Sequence, residues 1–72
     1  MQAPLPVLIE SAIQIAWDYL ERSGELGDPG EASQFLLMSV GEMVRKGERR
    51  QLMLTNKAID NYKRFRADQL AA

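Results

Sequence analysis

The chain contains no cysteine and no histidine. Without cysteine there is no disulfide to staple the fold and no thiolate to hold a metal or attack a substrate. Without histidine the commonest general base and the commonest metal ligand are both missing. Any catalysis would fall to carboxylates, Lys, Tyr or Ser with no imidazole partner. Aromatics are few: one Trp, two Tyr and two Phe. Long apolar runs are missing as well. The stretch from Val7 to Leu20 is broken by Glu10, Gln14 and Asp18, and the residues before it carry no Lys or Arg. That pattern predicts neither a secretory signal nor a membrane span. A soluble, cytoplasmic protein is the expectation.

What is present suits one small folded domain. The 72 residues are 46% hydrophobic and 26% charged, too apolar for a disordered chain. A chain of this mass buries about three-fifths of its unfolded surface, enough for a single core. The formal net charge is −1, but it is split unevenly. Residues 1–44 hold seven acids and one base, Arg22, for a net −6. Residues 45–72 hold eight bases and three acids, for a net +5. This asymmetry is the least ordinary feature of the chain.

Periodicity and punctuation predict an all-α fold, a compact three-helix bundle forming a single domain over residues 1–72. The helices are expected at about 6–23, 28–46 and 48–69, with a frayed tail from Ala67 to Ala72. In the first helix, Glu10, Ser11, Gln14, Asp18, Glu21 and Arg22 share a polar arc of roughly 120°. Ile9, Ala12, Ile13, Ile15, Ala16, Trp17, Tyr19 and Leu20 spread over roughly 200°. That apolar arc is about twice what one surface helix needs, so the helix must touch more than one neighbour. Ala12 and Ala16, one turn apart, would admit a close approach.

Gly24 is placed to end the first helix in a left-handed conformation. Asp28-Pro29-Gly30-Glu31 is the strongest local signal: a capping carboxylate, a proline at the first helical position, and an acid where a capping box wants one. Ala32, Leu36, Leu37, Val40, Met43 and Val44 form the apolar face of the second helix. Phe35 and Met38 are expected toward its polar side. Gly47 stops that helix. Leu54, Ala58, Ile59, Tyr62, Phe65 and Leu70 make the apolar face of the third. Its start has three readings: a continuous helix directly after Gly47, which is adopted; an N-cap at Thr55 with Leu54 and Ile59 as a hydrophobic staple; or an extended segment over Gln51–Leu54.

Candidate chemistry is thin. Glu10, Asp18 and Glu21 share a face but read as a solvated stripe, and no loop offers the clustered oxygens a divalent cation needs. Gly24, Gly27 and Gly30 precede a helix, but their spacing matches no phosphate loop, and Asp28 already fills the helix end with negative charge. No catalytic residue, metal ligand or cofactor site is expected, and the chain reads as no enzyme.

Two binding surfaces remain. Ile9, Ile13, Trp17, Leu20, Phe35 and Met38 are the candidate protein interface, for a homodimer or another helical protein. The acidic half of one subunit facing the basic half of another would orient such a pair. The runner-up partner is a nucleic acid contacted by Arg49, Arg50, Lys57, Lys63 and Arg64, with Tyr62 and Phe65 interleaved as stacking rings. A membrane is not an expected partner. The resulting function is a non-enzymatic interaction or regulatory module that self-associates through its first helix, with a nucleic-acid-binding helical domain as the alternative.

Overall fold

The computed structural model describes residues 4–71. They form three helices, α1 Leu5–Arg22, α2 Pro29–Arg45 and α3 Gln51–Ala71, each packed against the other two. The molecule measures 42 × 23 × 18 Å. It is the all-α three-helix bundle that the hydrophobic periodicity predicts. Among the described residues no helix is long and apolar enough to cross a membrane.

The local signals act as expected at the first turn. Pro6 lies in the first turn of α1, where its missing N–H costs nothing. At the other end of that helix the Glu25 N–H donates to the Leu20 carbonyl and the Gly24 N–H to Glu21, with Gly24 at φ 75°. This paired closure is a Schellman motif, and its left-handed residue favours glycine. The Asp28 carboxylate accepts the Glu31 N–H at 2.8 Å and opens α2. Gly47 closes α2 by the same motif, with Glu48 N–H on Met43 O and Gly47 N–H on Val44 O.

The start of α3 is that of the adopted continuous helix, displaced by three residues; neither a cap at Thr55 nor an extended Gln51–Leu54 is present. The helix begins at Gln51, and residues 48–50 are irregular. The Glu48 carboxylate accepts the backbone N–H groups of Arg49 and Arg50, each at 3.1 Å, and so satisfies two amides just before the helix. The same carboxylate thereby caps the turn that leads into α3. The far end also departs from expectation, because α3 stays helical through Ala71 instead of fraying from Ala67. Ala72 lies outside the described residues.

The core is narrow, and small residues line it. Ala12, Ala16 and Leu20 come from α1, Ala32, Leu36, Val40 and Val44 from α2, and Leu54, Ala58, Ile59 and Tyr62 from α3, with Leu26 added from the first turn. Ala12 and Ala16, one turn apart, are both fully buried against the other two helices. Each fully buried leucine contributes about 1.5–3 kcal/mol. α2 and α3 run antiparallel in constant register: Ser39 faces Asn61, Phe35 faces Phe65 and Glu31 faces Gln69, and each pair of numbers totals 100. α1 and α3 run the same way, with Tyr19 beside Lys63 near one end and Val7 beside Gln51 near the other.

Candidate interaction surfaces

The structure redistributes the six candidate interface residues. Leu20 is fully buried and cannot touch a partner. Ile9, Ile13 and Trp17 are partly buried and pack onto the core. Phe35 does not point to the polar side of α2. Its ring stacks on Phe65 with centroids 4.6 Å apart and meets the edge of Tyr62 at 5.6 Å. Leu37, expected on the apolar face, is 56% exposed instead. The buried stripe of α2 is therefore rotated toward Phe35, where the three aromatic rings interlock, and away from Leu37. Met38, at 72% exposed, is the one of the six that stands in solvent.

Helix α1 nonetheless keeps apolar side chains outside the bundle. Val7, Ile15 and Tyr19 are each about half exposed, and Leu5 nearly so. Ile15 and Tyr19 belong to the wide apolar arc, on its flank away from Trp17, whereas Val7 projects from within the polar arc. Two shallow grooves run along this flank. One, of about 440 Å³, is lined by Val7, Glu10, Ser11, Gln14, Ile15 and by Gln51 of α3. The other, of about 510 Å³, is lined by Ile15, Asp18, Tyr19, Arg22 and Ser23. They share Ile15 and so form one furrow along most of the helix. Leu52, the next residue after Gln51, is also exposed. The sequence signal for this flank is the arc width itself. What periodicity lacks is which side of the arc the neighbours cover.

The basic residues separate into two groups. Lys46, Arg49, Arg50 and Lys57 line an open groove of about 540 Å³ at the corner between α2 and α3, with Met43, Gly47 and Glu48. Lys63 is elsewhere. Its ammonium lies 3.5 Å from Glu25 and 5.1 Å from the centre of the Tyr19 ring, and the Tyr19 hydroxyl holds its pKa above the ordinary lysine value. Arg64 is exposed on α3, seven residues beyond Lys57 and outside the groove. The five proposed nucleic-acid contacts therefore do not converge; three of them do. Tyr62 and Phe65 sit in the aromatic cluster under Phe35 and present no ring for base stacking. Lys46, which is not among those five, belongs to the groove as well.

Within the corner the charges are unequally compensated. Glu48 faces Arg50 at 3.0 Å, and with the Arg50 side chain as the largest cause its pKa falls to about 2. Glu42 is shared between Arg45 at 2.9 Å and Lys46 at 3.8 Å. Arg49 is held differently. One of its guanidinium nitrogens donates to the Val44 carbonyl at 2.7 Å and the Glu48 carbonyl at 3.0 Å. Carbonyls orient a guanidinium without neutralising it. Among the described residues neither Arg49 nor Lys57 has a carboxylate within ion-pair distance.

The opposite turn has a different chemistry. The Tyr62 hydroxyl donates to the Leu26 carbonyl, and burial pushes its pKa above the ordinary phenol value. The Arg66 guanidinium lies against the Gly27 backbone, where a β-carbon would overlap it. Gln69 reaches Glu31 at 2.7 Å. Every one of these contacts is structural, closing the turn against α3. Among the described residues no cluster of acidic side chains could hold a metal ion. No family model, curated protein or solved structure matches this chain.

Proposed function

We propose that the protein is a non-enzymatic, cytoplasmic interaction module that self-associates through the outer flank of α1. The observation that carries this reading is the furrow along α1, where Val7, Ile15 and Tyr19 stay about half exposed while Ala12, Ala16 and Leu20 of the same helix are fully buried. Contiguous exposed apolar side chains rimmed by polar ones mark association surfaces. A second copy of the chain is a fitting partner on physical grounds. A domain this small, with no disulfide and a core lined by alanines, gains stability by covering apolar surface in an oligomer. The interface is thus moved within α1 from the Ile13/Trp17 side, which the monomer uses itself, to the Ile15/Tyr19 side.

Light scattering across a concentration series tests the reading. The expected result is a mass above the 8.1 kDa of one chain, falling to that of one chain for Ile15→Glu and Tyr19→Glu with the helical circular dichroism unchanged. A single chain at millimolar concentration, or an oligomer indifferent to both substitutions, overturns it.

A further inference from the structure

We infer that the groove at the α2–α3 corner is a binding site for the phosphate groups of a compact anionic ligand. It is a separate site from the α1 furrow and stands or falls independently of self-association.

Four cationic side chains, Lys46, Arg49, Arg50 and Lys57, converge on this groove, against one acid, Glu48. The acid is turned inward. Its carboxylate is occupied by the amides of Arg49 and Arg50 and by the Arg50 guanidinium. Arg50 is thereby neutralised and serves to build the turn. Arg49 is the opposite case. Two backbone carbonyls fix its guanidinium while its charge stays whole. A pre-positioned guanidinium loses less entropy on pairing with an oxyanion than a free one does, and its planar fork suits phosphate oxygens. Lys57, exposed on the first turns of α3, adds a second uncompensated charge. Lys46 shares its acid, Glu42, with Arg45 and is 3.8 Å from it, so it adds a third that is weakly compensated.

The same observations limit the ligand's size. Along α3 beyond Lys57, Asp60 and Asp68 alternate with Arg64 at helical spacing, so the positive potential does not continue. Lys63 is paired with Glu25 away from the groove. The rings of Tyr62 and Phe65 face the core, which leaves no platform for bases. The site therefore fits a cluster of phosphates on a small molecule, and is too short to track a nucleic-acid strand.

Titrating the isotope-labelled full chain with sodium tripolyphosphate, followed by amide NMR at low and at physiological salt, tests this. The expected shifts are confined to Met43, Lys46 to Gln51 and Lys57. Lys57→Ala, a side chain with no structural hydrogen bond among the described residues, should weaken binding about tenfold, and Arg49→Ala by at least as much. Arg64→Ala, the same charge removed outside the groove, should leave affinity within about twofold. Circular dichroism of each variant separates lost binding from lost fold. Shifts scattered over all basic residues, no shifts at millimolar ligand, or equal losses for Lys57→Ala and Arg64→Ala overturn the site. A single-stranded oligonucleotide supplies the second arm. Binding through three charges gives a salt slope of about −2; a slope of about −4 or steeper, with tighter binding than tripolyphosphate, overturns the compact ligand.

Discussion

The two turns of this bundle start alike and end differently. Both leave their helix through a glycine Schellman motif, at Gly24 and at Gly47. After Gly24 the chain folds inward. Leu26 enters the core, Tyr62 and Arg66 close over it from α3, and Asp28 caps the next helix. After Gly47 the chain stays outside. Glu48 turns back onto the amides of its own turn, nothing from α1 lines the corner groove, and four cations line it. The same helix-stop signal thus serves a sealed turn and an open one. The deciding residue stands two places after the glycine: Leu26, aimed at the core, in one case and Arg49, held at the surface, in the other. The sealed turn stabilises the fold, and the open turn is free to bind.

The comparison is broken most severely at Tyr62. Tyr62→Ala removes a ring that touches Phe35 and Phe65 and the donor to Leu26. The expected loss is about 3–5 kcal/mol, a large part of what a chain of this length has; chemical denaturation measures it. Tyr62→Phe keeps the ring and strands the carbonyl, at a cost of about 1–2 kcal/mol. Gly27→Ala forces a side chain into φ 68° and displaces Arg66. A loss of about 1–2 kcal/mol in the same assay is expected, whereas an unchanged midpoint would show that the turn is not held where Arg66 meets it. Asp28→Ala removes the cap on Glu31 N–H and costs about 1 kcal/mol.

The open turn should respond least to substitution and most visibly to acid. The Glu48 carboxyl titrates at about 2 against an ordinary 4.5, first because of its hydrogen bond from the Arg50 side chain. The folded state therefore binds this proton more weakly than the unfolded state does. Its contribution is complete above pH 4.5 and disappears as the pH falls toward 2. NMR titration of the Glu48 side chain should give a midpoint near that lower value, and a midpoint near 4.5 would dissolve the cap.

The parts of the fold legible in the sequence are those that a few neighbouring residues decide. Asp28-Pro29-Gly30-Glu31 carries its cap within four positions, and Gly24 and Gly47 carry their stops. At the start of α3 propensity reads the helix over residues 51–54 but not its first residue, because 48–50 are equally good helix formers and the ladder opens only with the Leu54 N–H on the Arg50 carbonyl. The rotation of α2 toward Phe35 depends on Tyr62 and Phe65, some thirty residues away. The candidate surfaces are half legible for the same reason. Width of the apolar arc and density of basic residues can be read along the chain, but which flank of α1 is covered, and which cations share a groove with Arg49, are decided across helices.

The bond from Tyr62 to the Leu26 carbonyl spans 36 positions of chain. The first hairpin carries its own glycine stop and aspartate cap, whereas the phenol that fastens it comes from the third helix. Until α3 arrives, α1 and α2 can meet and part, with the Leu26 carbonyl still bonded to water. The last helix thus works as a latch on the first two, and a fragment ending short of residue 62 would leave the hairpin unfastened and its apolar faces open to water.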